Sequence, residues 1–240
     1  MADSDFERLP PDPQRRYVRD PVPVHFPVHE FVPQTEVHMR LRTELWCTLR
    51  REFGDRAVVG SNQFLYWNAM DPTQRLAPDL TLRFGTSRRP LTCWKVWERG
   101  APHLAVEIIS AEDERDRDWT RNFEAYRRVG VRELVRFDPE HAQSPLRLWD
   151  SVEDDLVERE ISKHEHERSG VLGLYWNVER DPELGLALRL SRDSAGTDRI
   201  LNAEEALHAV VEARTAEASA DATKTRIREL EAELARHSKG

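Results

Sequence analysis

The stretch HLAVEIIS, residues 103–110, is a nearly continuous apolar run that a single carboxylate interrupts. Such a run predicts a strand that is buried on both faces of a sheet. Because side chains alternate along a strand, Glu107 is expected to point with Ala105 and Ile109 and away from the residues between them. A glutamate in a core is costly unless it is paired, protonated or bound to a cation. The sequence therefore predicts a partner for Glu107, either an arginine or a metal ion.

A second carboxylate, Asp79, stands at the start of the strand-like run DLTLRF, 28 residues before Glu107. On its own, this aspartate is typical of an ordinary turn. Two carboxylates that converge from neighbouring strand ends form an oxygen-rich site for Mg²⁺, an ion that takes one or two protein carboxylates and keeps waters for substrate phosphates. A metal held there activates a water and neutralises charge on a phosphoryl group.

Helices and further strands surround this pair of carboxylates. A helix is predicted from Thr35, with an apolar stripe at four-residue spacing that ends before Gly54 and consists of Val37, Leu41, Leu45, Leu49 and Phe53. A second helix is predicted over residues 117–129 and stops at Gly130. Other strands are predicted at RAVVG, QFLYWN, RELVRF, LRLWD, LVERE and LALRLS. The chain therefore mixes helices and strands.

Three segments are expected along the chain. Residues 1–33 hold many of the prolines and predict an extended arm. Residues 34–200 carry the predicted strands and helices of one domain. Residues 201–240 predict one long polar helix, in which Ile227, Leu230 and Leu234 give barely two turns of a coiled-coil seam. A solvent-exposed helix and a dimerisation or docking helix are both consistent with that seam.

Composition narrows the class of protein. The chain has 240 residues, of which 39% are hydrophobic and 33% are charged, as expected for a globular protein. It has no apolar run of membrane-spanning length and no signal-peptide pattern at its N-terminus, so cytoplasmic residence and no membrane partner are expected. The two cysteines lack the spacing of a zinc site. The net charge of −8 argues against DNA binding, but residues 115–136 hold seven arginines and four acidic residues, a local basic patch.

Four segments together resemble a known family. APD (77–79), VEIIS (106–110), DWTRNFEAY (118–126) and GVRELVRFDPE (130–140) resemble, in order and spacing, the Uma-type restriction endonucleases, a branch of the PD-(D/E)XK nuclease-like superfamily. The resemblance covers most of the chain. It implies an α/β, restriction-endonuclease-like core with a mixed central sheet flanked by helices, followed here by the C-terminal helical tail. It also implies a metal-dependent site that cleaves DNA phosphodiester bonds, with Asp79 and Glu107 as catalytic metal ligands.

The lysine of this family is absent from both of its positions. The superfamily places a lysine two residues after the second carboxylate, where this chain has Ile109. The Uma-type branch places it on the following helix, midway between an aspartate and a tyrosine that match Asp118 and Tyr126, and Asn122 stands there. Asparagine donates a hydrogen bond but carries no charge, so it supplies only part of the electrostatic stabilisation. Arg121 and Lys95 are the cations considered as replacements.

Two other positions bear on the site. Asn62 stands where this branch is expected to have an aspartate. Like Asn122, this amide indicates a weakened or lost activity, or else a neutral substitution at a position that has no role in the chemistry. Glu44, on the first predicted helix, is either an additional carboxylate of the site or an ordinary surface residue.

These observations favour an endonuclease that uses Mg²⁺, or Mn²⁺ in its place, to hydrolyse DNA. The alternative is a catalytically impaired nuclease fold that acts as a nucleic-acid-binding or assembly module, with a homodimer or another partner engaged through the C-terminal helix. A third interpretation keeps the metal for structure. The two carboxylates favour the enzyme, whereas Ile109, Asn122 and the net acidity favour the module.

Overall fold

A computed structural model describes residues 35–87, 89–90, 92–109, 117–161 and 166–237, so the predicted N-terminal arm lies outside the described residues. The helices are α1 (Glu36–Phe53), α2 (Val96–Arg99), α3 (Arg117–Val129) and α4 (Ala203–His237). The strands in the first half of the chain are β1 (Ala57–Ser61), β2 (Leu65–Tyr66), β3 (Arg75–Leu76), β4 (Leu80–Phe84), β5 (Trp94–Lys95) and β6 (Leu104–Ile108). Those in the second half are β7 (Glu133–Phe137), β8 (Leu146–Val152), β9 (Asp155–Glu158), β10 (His166–Arg168), β11 (Tyr175–Asp181) and β12 (Gly185–Ser191).

The centre of the molecule is a six-stranded mixed sheet in the order β1-β4-β6-β7-β8-β9. β6 and β7 run parallel, and the other neighbouring strands in this sheet are antiparallel. A parallel pair needs a crossover connection, and α3 lies in the chain between β6 and β7. Two smaller sheets, β10-β11-β12 and β3-β2-β5, complete the fold. The predicted mixed sheet with flanking helices and a C-terminal helix is confirmed.

Alternation along β6 separates the core into two layers. Val106 and Ile108 belong to the cluster that α1, β11 and β12 form on one face of the central sheet. Ala105 belongs to the cluster on the other face, which α3 and the small sheet β3-β2-β5 cover. Glu107 shares the face of Ala105, as the two-residue period predicts. The strand is therefore buried on both sides, and its one carboxylate lies under α3.

The first helix begins where its cap predicts, but its buried face differs from the predicted stripe. The hydroxyl of Thr35 accepts a hydrogen bond from the backbone N–H of His38 at 3.2 Å, which caps the helix start. Leu41 and the later members of the stripe are buried, whereas Val37 is 38% exposed and His38 is 7% exposed. Four-residue spacing overshoots the helical repeat of 3.6, so the stripe drifts round the helix, and His38 occupies the inward position predicted for Val37.

A buried carboxylate joins the central sheet to the segment before β11. Glu133, at the start of β7, is 1% exposed. Its carboxylate accepts hydrogen bonds from the N–H of Gly170 at 2.7 Å and of Val171 at 3.2 Å, and from the indole of Trp176 at 3.1 Å. The guanidinium of Arg159 lies 3.9 Å from the same carboxylate. This set of donors offsets the cost of burying the charge.

Replacing Glu133 with alanine should destabilise the fold by about 3–5 kcal/mol, because the N–H groups of Gly170 and Val171 and the indole of Trp176 lose their buried acceptor. Urea unfolding measures this loss. Glu160→Ala, which removes an exposed carboxylate after β9, is the control and should change the free energy of unfolding by less than about 0.5 kcal/mol. Equal effects of the two substitutions would contradict this account of Glu133.

Among the described residues, no helix is both long enough and apolar enough to cross a membrane.

Candidate functional site

Three charged residues form a row across neighbouring strands of the central sheet. Leu80 of β4 pairs with Val106 of β6, and the antiparallel register, continued by one residue, sets Asp79 opposite Glu107. On its other side, Glu107 pairs with Arg136 of β7. The structure therefore sets Asp79, directly before β4, next to Glu107 of β6, and it adds an arginine that the sequence motifs did not single out.

Asp79 is held by hydrogen bonds from two elements. Its side chain is buried, with the residue 5% exposed. Its Oδ2 accepts a hydrogen bond from the N–H of Ile108 at 2.8 Å, and the Nε2 of His38 lies 3.1 Å from the same oxygen. The Nη1 of Arg42 is 3.9 Å from Oδ1. The carboxylate therefore links β4 to β6 and to α1.

His38 is a site residue that the sequence motifs missed. Its Nε2 also lies 3.0 Å from the carbonyl oxygen of Ile108, so both neighbours of this nitrogen are acceptors and it carries the proton. Burial works against the charged imidazole, but the hydrogen bond to Asp79 and its negative charge outweigh burial, and the pKa of His38 is raised above its ordinary value. The sequence signal available was a histidine one position after Val37 on the inward face of α1.

Glu107 is half-buried and has a tyrosine partner on α3. The hydroxyl of Tyr126 donates a hydrogen bond to its Oε1 at 2.5 Å. Tyr126 is fully buried. Burial, and then the negative charge of Glu107 and its hydrogen bond, raise the pKa of Tyr126 well above its usual range, so the phenol remains a donor. Of the residues Asp118, Asn122 and Tyr126 of α3, Tyr126 is therefore the one that contacts the carboxylate of Glu107.

Asn122 and Ile109 stand at the two positions where the family and its superfamily place a lysine. Asn122 is half-buried and precedes Tyr126 by four residues, which places the two on one face of α3. Ile109 is 9% exposed and follows directly after β6, so it is part of the core. Arg121 is exposed. Lys95 lies on β5 of a small sheet and forms a 3.2 Å salt bridge with Glu98. Neither cation stands next to Glu107 in the register of the central sheet.

Arg136 is the cation that this register sets beside Glu107. Its side chain is 13% exposed, and one guanidinium nitrogen lies 3.9 Å from a carboxylate oxygen of Asp138. Its guanidinium carbon lies 5.1 Å from the centre of the Trp119 ring. Trp119 in turn packs with Trp149 at a centroid distance of 5.2 Å. Arg136 is the one half-buried residue of the otherwise buried strand β7, and its contact with the aromatic side chain of Trp119 holds it in a defined position under α3.

Asn62 and Glu44 each make a contact that joins two segments of the fold. Asn62 has a φ of +48°, a left-handed conformation that asparagine tolerates, and its N–H lies 3.1 Å from the carbonyl oxygens of both Pro78 and Asp79. The backbone of Asn62 is therefore joined to the segment that leads into β4, while the residue itself is exposed. Glu44 pairs with Arg189, an arginine of β12 that is 6% exposed, at 2.5 Å. Glu44 thus joins α1 to β12, and the surface interpretation of this residue is wrong.

The donor set of Asp79 and Glu107 suits a hard cation that keeps most of its waters. Within the described ranges, histidine, cysteine and acidic side chains form no group of three or more that could hold a metal ion. Two carboxylates, one directly before β4 and one on β6, match the one or two protein ligands that Mg²⁺ usually takes, with waters completing its coordination. Asp79 would share its carboxylate between such an ion and its present donors.

A family model named Uma2, described as "Putative restriction endonuclease", matches residues 4–186. This match confirms the resemblance that the sequence motifs indicate. No curated protein matches the chain significantly. A crystal structure described as "a putative nuclease belonging to DUF820", from Anabaena variabilis ATCC 29413, is similar to this chain at 15% sequence identity and a TM-score of 0.37. The similarity covers 49% of this chain and 64% of that one, so this chain spans less than two thirds of that protein's length.

Replacing Tyr126 with phenylalanine should lower the free energy of unfolding by about 1–3 kcal/mol, because Glu107 loses a buried hydrogen-bond donor while the ring packing is kept. Urea unfolding measures the change. Tyr175→Phe, which removes a hydroxyl from a half-buried tyrosine of β11, is the matched control and should cost less than about 0.5 kcal/mol. A Tyr126→Phe protein as stable as this control would rule out a stabilising contact with Glu107.

Proposed function

Because the chain belongs to the Uma2 family, we propose that it is an endonuclease that uses Mg²⁺ to hydrolyse the phosphodiester bonds of DNA. The observation that supports this proposal is the position of Asp79 directly before β4, one residue beyond the pair that joins Leu80 to Val106 of β6, where the register sets it opposite Glu107. Both carboxylates would bind the metal. Mn²⁺, which also prefers oxygen ligands, is expected to replace Mg²⁺.

The bound metal would activate the attacking water and neutralise charge that develops on the phosphate. Neighbouring residues of the chain orient the two proposed metal ligands. His38 and the N–H of Ile108 hold Asp79, and Tyr126 holds Glu107. Preorganised ligands of this kind avoid reorganisation when charge develops in the transition state.

Asn122 and Arg136 share the role that the family gives to its lysine. Asn122 donates a hydrogen bond to the attacking water or to a phosphate oxygen from the face of α3 that carries Tyr126. Arg136 supplies the positive charge from the other side, on the strand next to Glu107. A guanidinium has five donors in a rigid fork and suits phosphate oxygens. The exposed arginines of α3, Arg121 and Arg128, extend this positive surface toward the DNA backbone.

A second candidate function is a binding or assembly module built on a nuclease fold. The observation that favours it is the environment of Asp79, whose Oδ2 already accepts a hydrogen bond from Ile108 and contacts His38, in a chain that lacks the family's lysine. In this case the domain would bind nucleic acid without cutting it. The chain would then form a homodimer or bind another partner through α4. We expect it to act in the cytoplasm.

The purified protein should nick supercoiled plasmid with Mg²⁺ and with Mn²⁺, and Glu107→Gln should reduce nicking by at least about 10²-fold, since a metal ligand in the transition state is lost. Gel electrophoresis of the plasmid measures the rate. Glu160→Gln, a change of an exposed carboxylate, is the matched control and should cut at the wild-type rate. Circular dichroism establishes that each variant is folded.

Nicking that survives in Glu107→Gln would refute the site. A folded wild-type protein that binds DNA and does not nick it with either metal would replace the endonuclease with the binding module.

Arg136→Gln should lower the cleavage rate by about 10²-fold at saturating DNA, because a charge that stabilises the transition state is removed. Adding Asn122→Lys to Arg136→Gln should restore much of the rate, since a lysine returns to the family's position. Measuring kcat and KM separately distinguishes a role of Arg136 in the transition state, which lowers kcat, from a role in DNA binding, which raises KM. Arg121→Gln, which removes an exposed charge from α3, is the control and should affect KM alone. A double variant no faster than Arg136→Gln would show that the two positions do not share one role.

A further inference from the structure

The C-terminal helix carries a long stretch that does not pack on the rest of the described chain. Every residue from Leu207 to Glu231 of α4 is exposed. At about 1.5 Å per residue, this stretch extends for about 37 Å. Isolated helices in water are marginally stable, and most helices in proteins depend on the packing of one face. The exposed stretch still presents large apolar side chains, including Ile227 at 50% and Leu230 at 43% exposure.

The start of α4 is fixed to the globular part. The side chain of Asn202 accepts a hydrogen bond from the N–H of Glu205 at 2.8 Å, and the carboxylate of Glu205 accepts one from the N–H of Asn202 at 2.8 Å. This reciprocal pair is a capping box. Arg199 bridges to Glu205 at 2.7 Å. The helix therefore leaves the domain at a defined point.

A single row of small and apolar residues follows the whole helix. The spacing alternates strictly between three and four residues through Ala206, Ala209, Ala213, Ala216, Ala220, Thr223, Ile227 and Leu230. The sequence continues this spacing to position 234. A repeat of 3.5 residues over four heptads is the seam of a left-handed two-stranded coiled coil.

The seam has small side chains in its first half and large ones in its second half, which favours one orientation of a partner. In a parallel pair of identical helices, alanine would meet alanine at one end and leucine would meet leucine at the other, so the helix separation would change along the pair. In an antiparallel pair, Ala216 faces Ile227 of the second copy and Ala213 faces Leu230 of the second copy. These layers each combine one small and one large residue, and the two central layers pair Ala220 with Thr223, so no layer between Ala213 and Leu230 places two large residues together.

The charges beside the seam do not distinguish the two orientations. In the antiparallel register, Glu217 lies across from Lys224 of the second copy, and symmetry repeats this attractive pair. The same register places Glu212 across from Glu233 of the second copy, which is repulsive. A parallel arrangement in register likewise combines one repulsive pair, Glu212 with Glu217, and one attractive pair, Arg226 with Glu231. The sizes of the seam residues, and not the charges, therefore decide the orientation.

We propose that α4 forms an antiparallel two-stranded coiled coil with α4 of a second copy of this chain. The two helices overlap along the full exposed stretch, and the two globular parts lie at opposite ends of the rod. The proposal rests on the helix and its seam alone, so it does not depend on the proposed nuclease activity.

Sedimentation equilibrium of the full-length chain at micromolar concentrations tests the dimer, which should have twice the 28.0 kDa mass of one chain. Replacing both Ile227 and Leu230 with glutamate should give a monomer. The matched control replaces Leu207 and Val211 with glutamate, since these residues of the same helix are 62% and 54% exposed and lie off the seam. This control should remain a dimer.

Disulfide crosslinking tests the orientation in a background in which Cys47 and Cys93 are serines. A mixture of Ala216→Cys and Ile227→Cys chains should form a mixed disulfide, because facing seam positions come within the reach of a disulfide. Ile227→Cys alone should not crosslink to itself. A monomeric wild type, a dimer that survives the change at Ile227 and Leu230, or a self-crosslinked Ile227→Cys chain would each overturn the proposal.

Discussion

The carboxylate of Asp79 is the interaction on which the centre of this structure depends. It accepts a hydrogen bond from the N–H of Ile108 and contacts Nε2 of His38, so one buried side chain connects β4, β6 and α1. A buried carboxylate is tolerated only with such partners. Asp79 directly precedes β4, and the register that pairs Leu80 with Val106, continued by one residue, sets it opposite Glu107.

In the proposed function the carboxylate of Asp79 has two roles, since it both holds three elements together and binds the metal. Loss of Asp79 would therefore disturb the fold as well as the chemistry, and Glu107 is the better position at which to separate the two. Glu107 is half-buried, and its described hydrogen bond comes from Tyr126, a side chain that packs independently into the core under α3. Sites that combine strain or burial with function commonly show this conflict between stability and activity.

Local patterns predicted much of the fold. The two faces of β6 follow from its two-residue period, and α3 ends at Gly130, whose φ of +77° favours glycine. Contacts between distant elements were harder to predict. Nothing local to Arg136 shows that it pairs with Glu107, since this depends on the parallel register of β6 and β7. His38 was missed because strict four-residue spacing assigned the inward position to Val37, although a helix repeats every 3.6 residues. The predicted roles of Asp79 and Glu107 as metal ligands stay predictions.

Binding of Mn²⁺, followed by the loss of the free-ion signal in electron paramagnetic resonance, tests the central claim most directly because it does not require catalysis. The account predicts saturable binding of one ion per chain and competition by Mg²⁺. A folded Glu107→Gln protein should lose this binding, whereas Glu160→Gln should bind Mn²⁺ as the wild type does. Equal binding by the wild type and Glu107→Gln, or no binding by the folded wild type, would contradict the assignment of the two carboxylates as a metal site.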